Sequence, residues 1–60
     1  SLENYPHPGG FLSRGNVWLK KKAYEKAIVD YSQALWLDST MKEAEENRKI
    51  AEELLLESTG

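Results

Sequence analysis

Tyr24, Ala27, Ile28, Tyr31, Ala34 and Leu35 recur at i, i+3, i+4, i+7 spacing, which lines them up along one side of an α-helix. A second stripe precedes it, made of Phe11, Leu12, Gly15, Trp18 and Leu19. That stripe ends at Lys20-Lys21-Lys22, where cations complement the carbonyl end of a helix dipole. So little chain separates the two stripes that the helices must double back as an antiparallel hairpin. Gly15, Ala27 and Ala34 are small residues on the facing sides and let two helix axes approach closely. Trp18, Tyr24 and Tyr31 fill the space beside those contacts.

Asp38-Ser39-Thr40 interrupts the periodicity, and Thr40 followed by Glu43 fits a capping box. This predicts a third helix over 41–57, running through Ala44, Ile50, Ala51, Leu54 and Leu55, with residues 58–60 frayed. Residues 1–9 hold Pro6, Pro8 and Gly9 and show little periodicity, so they read as a flexible arm. The expected fold class is all-α: a hairpin over 10–38 and a third helix, together one domain over 10–57, with no strand.

A chain of 60 residues builds a marginal core. It contains no cysteine and a single histidine, His7, so neither a disulfide nor a metal cluster is expected to staple it. Helix packing, or a second copy, must supply the stability. The net charge of −2 is ordinary for a cytoplasmic globular protein and lacks the basic excess of a nucleic-acid binder. No apolar run is long enough to span a bilayer, so no membrane partner is expected, and the first residues do not show a leader pattern.

Phe11, Gly15 and Trp18 in the first helix, and Tyr24, Ala27, Tyr31 and Ala34 in the second, stand at offsets that resemble the tetratricopeptide repeat family. That family repeats a helix–turn–helix of 34 residues, and the resemblance runs from Pro8 to Met41. Two positions depart from the pattern: Arg14 replaces the leucine before the glycine, and Ser39 replaces the closing proline. One period after Gly15 and Trp18 the chain has Lys49 and Glu52, so the third helix is not a second full repeat. With Glu45, Glu46, Glu52 and Glu53 it resembles the polar helix that closes such arrays. The segment thus looks like the C-terminal end of an array, or a whole minimal one.

The resemblance implies a non-catalytic interaction module without a cofactor, whose concave face binds a protein or peptide. Carried over, that face comprises Leu12, Asn16, Leu19 and Lys20 from the first helix. Glu46, Asn47, Ile50, Glu53 and Leu54 join it from the third. An apolar floor with a few polar groups suits an extended peptide or a helix, although so short a chain offers only part of a usual footprint. Some family members hold the acidic tail of heat-shock chaperones in a carboxylate clamp. Asn16 and Asn47 fall on two clamp positions, but Leu12 stands where a cation is expected, and Arg14 and Arg48 are out of phase. The charge-assisted donors that a carboxylate needs are therefore missing.

Other functions have less behind them. Three lysines beside Trp18 and Tyr24 neutralise few phosphates and are explained by a solvated helix end, so no nucleic-acid partner is expected. Ser13, Ser32 and Ser39 have no base in reach, and no catalytic or metal-ligating set emerges. The rival reading is self-association as a homodimer. Trp36 falls off the core stripe with Val29 and Gln33, and an exposed tryptophan is a common interface anchor. Val29, Trp36, Ile50 and Leu54 are the candidate contacts for that pairing.

Overall fold

The computed structural model of the chain describes residues 7–59. They form α1 (Pro8–Lys20), α2 (Tyr24–Leu37) and α3 (Lys42–Thr59). α1 and α2 pack closely as a hairpin, and α3 packs mainly on α2. The expected all-α architecture of a hairpin plus a third helix is what the chain adopts. The core is small and built largely of alanine: Ala27, Ala34, Ala44 and Ala51 are fully buried together with Tyr31. Phe11, Leu12, Trp18, Leu19, Ile28, Leu35 and Met41 pack around them, each half-buried.

Gly15 is where α1 comes closest to its partner. A β-carbon placed there would lie 2.6 Å from Cε1 of the Tyr31 ring, so only glycine leaves room for the ring. The close contact predicted between the helices is thus glycine against aromatic, with alanines completing the seam.

The helix ends differ from the sequence expectation, each for a local reason. α1 begins at Pro8 instead of residue 10. Proline lacks an N–H that the first turn cannot use, and its fixed φ suits a helix start. The His7 carbonyl accepts the N–H groups of Gly10 and Phe11, at 3.0 and 3.2 Å, which makes residues 8–10 helical. The remainder of the expected arm, residues 1–6, lies outside the described residues. The capping box does not form: Met41, whose carbonyl accepts the Glu45 N–H, takes the position before the helix, and the Thr40 hydroxyl one residue earlier donates to Asp38 Oδ1 at 2.6 Å. α3 accordingly starts at Lys42. At the far end it does not fray at Ser58: the Ser58 and Thr59 hydroxyls donate to the Leu55 and Leu56 carbonyls and carry the helix to Thr59. Gly60 lies outside the described residues.

α1 stops in a Schellman motif. The Lys22 N–H donates to the Leu19 carbonyl at 3.0 Å and the Ala23 N–H to the Trp18 carbonyl at 2.9 Å. The geometry needs a left-handed residue, and here it is Lys22, with φ of 65°. A side chain in that region costs energy that glycine avoids. Lys22→Gly should therefore stabilise the chain by about 1 kcal/mol; an unchanged or lower melting temperature would contradict this account of the turn.

The α2–α3 turn is held by Asp38, whose Oδ1 also accepts the Thr40 N–H at 3.0 Å. The hydroxyl bond, then the backbone bond, keeps the Asp38 carboxyl below the ordinary aspartate range. A carboxylate depressed in this way adds stability at neutral pH, which is lost as pH falls through its folded value. The difference in melting temperature between the parent and Asp38→Ala should therefore shrink on acidification below the usual aspartate range. A difference that stays constant through that range would count against the turn's role.

Candidate functional site

α1 and α3 touch sparingly, and they meet through two amides. Asn16 Oδ1 accepts the Tyr31 hydroxyl at 2.5 Å and the Asn47 Nδ2 amide at 3.1 Å. Three helices therefore converge on one oxygen, and burial pushes the Tyr31 phenol up, an effect partly offset by the nearby Asn47 amide. Leu12, Asn16 and Leu19 lie at i, i+4, i+7 on α1. Asn47, Ile50 and Leu54 lie at i, i+3, i+7 on α3. The Asn16–Asn47 bond sets these two sides next to each other. Leu12 and Leu19 pack onto the core and are half-buried, as are Asn16, Asn47 and Leu54. Ile50 is 45% exposed, and Lys20, Glu46 and Glu53 are exposed.

The second candidate surface lies on α2. Trp36 is 84% exposed and Val29 58% exposed, in keeping with their place off the core stripe. Ser32, Gln33 and Trp36 line a shallow hollow there, and Ile50 and Leu54 sit on a different helix from it. Of the four residues named for self-association, Val29 and Trp36 thus lie on α2 and Ile50 and Leu54 on α3.

A third feature was not foreseen. Arg14 donates through Nε and Nη2 to the two carboxylate oxygens of Asp30, at 2.9 and 2.8 Å. The Asp30 side chain is 3% exposed and that of Arg14 61%. The bonds Arg14 donates to Asp30, then the charge of Asp30, raise the Arg14 guanidinium further. Arg14 also stands 5.6 Å over the Phe11 ring, and the Lys26 ammonium 4.6 Å over Trp18. Arg14, Trp18, Glu25, Lys26, Val29 and Asp30 line a groove of about 410 Å³. The signal was present in the sequence. Asp30 interrupts the stripe Ala27–Tyr31–Ala34, and a carboxylate in an apolar stripe demands a cation from the facing helix.

Arg48 reaches α2 through Nη1, 3.3 Å from the Ser32 hydroxyl, and lies 4.0 Å from Glu52 on its own helix. Neither arginine faces the Asn16–Asn47 side, so no clamp for a free carboxylate is assembled there. Among the described residues no group of His, Cys, Asp and Glu is arranged to hold a metal ion. No helix among them is long and apolar enough to cross a membrane. Comparison of the chain with protein-family models, curated proteins and solved structures finds no match.

Proposed function

We propose that the chain is a tetratricopeptide-like interaction module, without catalytic or cofactor chemistry, that binds a protein segment along the side shared by α1 and α3. The Asn16–Asn47 bond is the observation that carries this reading. Asn16 spends its oxygen on Tyr31 and Asn47, which leaves its amide nitrogen to donate outward. Asn47 spends one N–H on Asn16, and its oxygen has no other partner among the described residues. A donor and an acceptor held side by side match the N–H and C=O of one extended peptide unit. Leu12, Leu19, Ile50 and Leu54 flank them with apolar surface. Lys20 at one end and Glu46 and Glu53 along the other helix favour one direction of the bound chain.

A peptide-display selection on the immobilised protein tests this. Selected peptides should lose affinity about tenfold or more on Ile50→Glu, and measurably on Asn47→Ala, with Trp36→Ala neutral. Peptides that lose affinity only with Trp36→Ala would place binding on α2 and refute the proposal. The exposure of Trp36 and Val29 favours a second reading, a closed homodimer, which predicts twice the monomer mass and melting that depends on concentration.

A further inference from the structure

The groove between α1 and α2 carries two cations that are already positioned. Arg14 is fixed by Asp30 and Phe11, and Lys26 lies over Trp18. Between them Trp18 and Val29 form an apolar floor. Cations held in place lose little further freedom when a carboxylate arrives. Asp30 and Glu25 line the same groove and balance its charge, so it suits an element that sets acids beside Arg14 and Lys26, a cation beside Glu25, and one apolar side chain on Trp18 and Val29.

The chain carries such an element itself. Charge is segregated along the sequence: residues 7–26 hold five lysines and arginines against one acid, residues 27–59 eight acids against three. On α3, Lys49, Glu52, Glu53 and Leu56 share one side at i, i+3, i+4, i+7, and Leu56 is 71% exposed. Ala44 and Ala51 turn the opposite side of α3 into the core. The groove is lined by α1 and α2 alone, and Lys49, Glu52, Glu53 and Leu56 are not among its lining residues, so a single chain does not fill its groove with its own α3.

We propose that the groove of one copy receives α3 of a second copy, with Leu56 on Trp18 and Val29, and Glu52 and Glu53 beside Arg14 and Lys26. Lys49 then faces Glu25. The two surfaces differ, so the proposed contact is heterologous, and each added copy leaves one groove and one α3 side open. Assembly proceeds head to tail and lengthens with concentration. The joint shares Glu53 with the peptide side but leaves Asn16, Asn47 and Ile50 open; Val29 and Leu56 lie outside that side, so their variants test the joint alone.

Light scattering across a concentration series tests it on the intact chain. The parent should show a mass that rises with concentration without levelling at a dimer, and falls as salt screens the joint. Val29→Glu blocks the groove and Leu56→Glu blocks the helix. Both sites are exposed, so each variant should keep its helical circular dichroism and run as a monomer. Mixed in equal amounts they retain one intact groove and one intact α3 side, and should form a one-to-one dimer and nothing larger. A parent that stays monomeric at high concentration overturns the proposal. So does a mixture that stays monomeric, or an association abolished by Trp36→Ala but not by Val29→Glu.

Discussion

Gly15→Leu should destabilise the chain by about 3 kcal/mol, a large part of the roughly 3–8 kcal/mol expected for a domain of this size. A β-carbon alone would sit 2.6 Å from Cε1 and 2.8 Å from Cδ1 of Tyr31. That ring is fully buried in the alanine core and its hydroxyl is tied to Asn16, so it has nowhere to swing. Leaving glycine gains roughly 1 kcal/mol of intrinsic helix preference, which is smaller than the overpacking cost. Gly10→Leu supplies the control. Nothing lies within 4 Å of a β-carbon at Gly10, so that variant should match the parent or exceed it in urea denaturation. If Gly15→Leu and Gly10→Leu unfold alike, the close approach of α1 to Tyr31 is wrong.

The second large effect concerns Arg14 and Asp30, and it is asymmetric. Arg14→Ala leaves a carboxylate without its two charge-assisted donors at a place water barely reaches. Asp30→Ala leaves a guanidinium that already reaches water. The cost of an unpaired group is set by its own desolvation, so loss of the arginine is the worse change. Arg14→Ala should shift the folding equilibrium about tenfold or more toward the unfolded chain, and Asp30→Ala clearly less. Replacing both by leucine removes the unpaired charge and should recover most of the loss. Equal effects of the two single changes would mean that Asp30 is solvated after all.

The hairpin was legible because its alternating small and aromatic residues leave few other ways to pack two short helices. Gly15, Ala27, Tyr31 and Ala34 all take the positions their spacing implied. The helix ends were less legible because they depend on competition between neighbours. Thr40 fits a capping box by sequence, yet Asp38 draws Thr40 into its own turn through the N–H and the hydroxyl, and the helix starts one residue later, at Lys42. Lys22 gave no hint of a left-handed backbone, since the Schellman bonds that require it come from Trp18 and Leu19. Asn16 and Asn47 were placed on one face by their phase. Their direct bond, and the shared tie to Tyr31, needed the tilt of α3, which periodicity does not specify. Arg14 looked like a departure from a leucine position until Asp30 stood opposite it.

Binding along the α1–α3 side is tested most directly by amide chemical shifts on a uniformly labelled chain, titrated with a peptide selected by display. Shift changes should concentrate at Asn16, Leu19, Lys20, Asn47 and Ile50, with the Asn16 and Asn47 side-chain amides among the largest. Changes confined to Ser32, Gln33 and Trp36, with the two asparagine amides unmoved, would contradict the account.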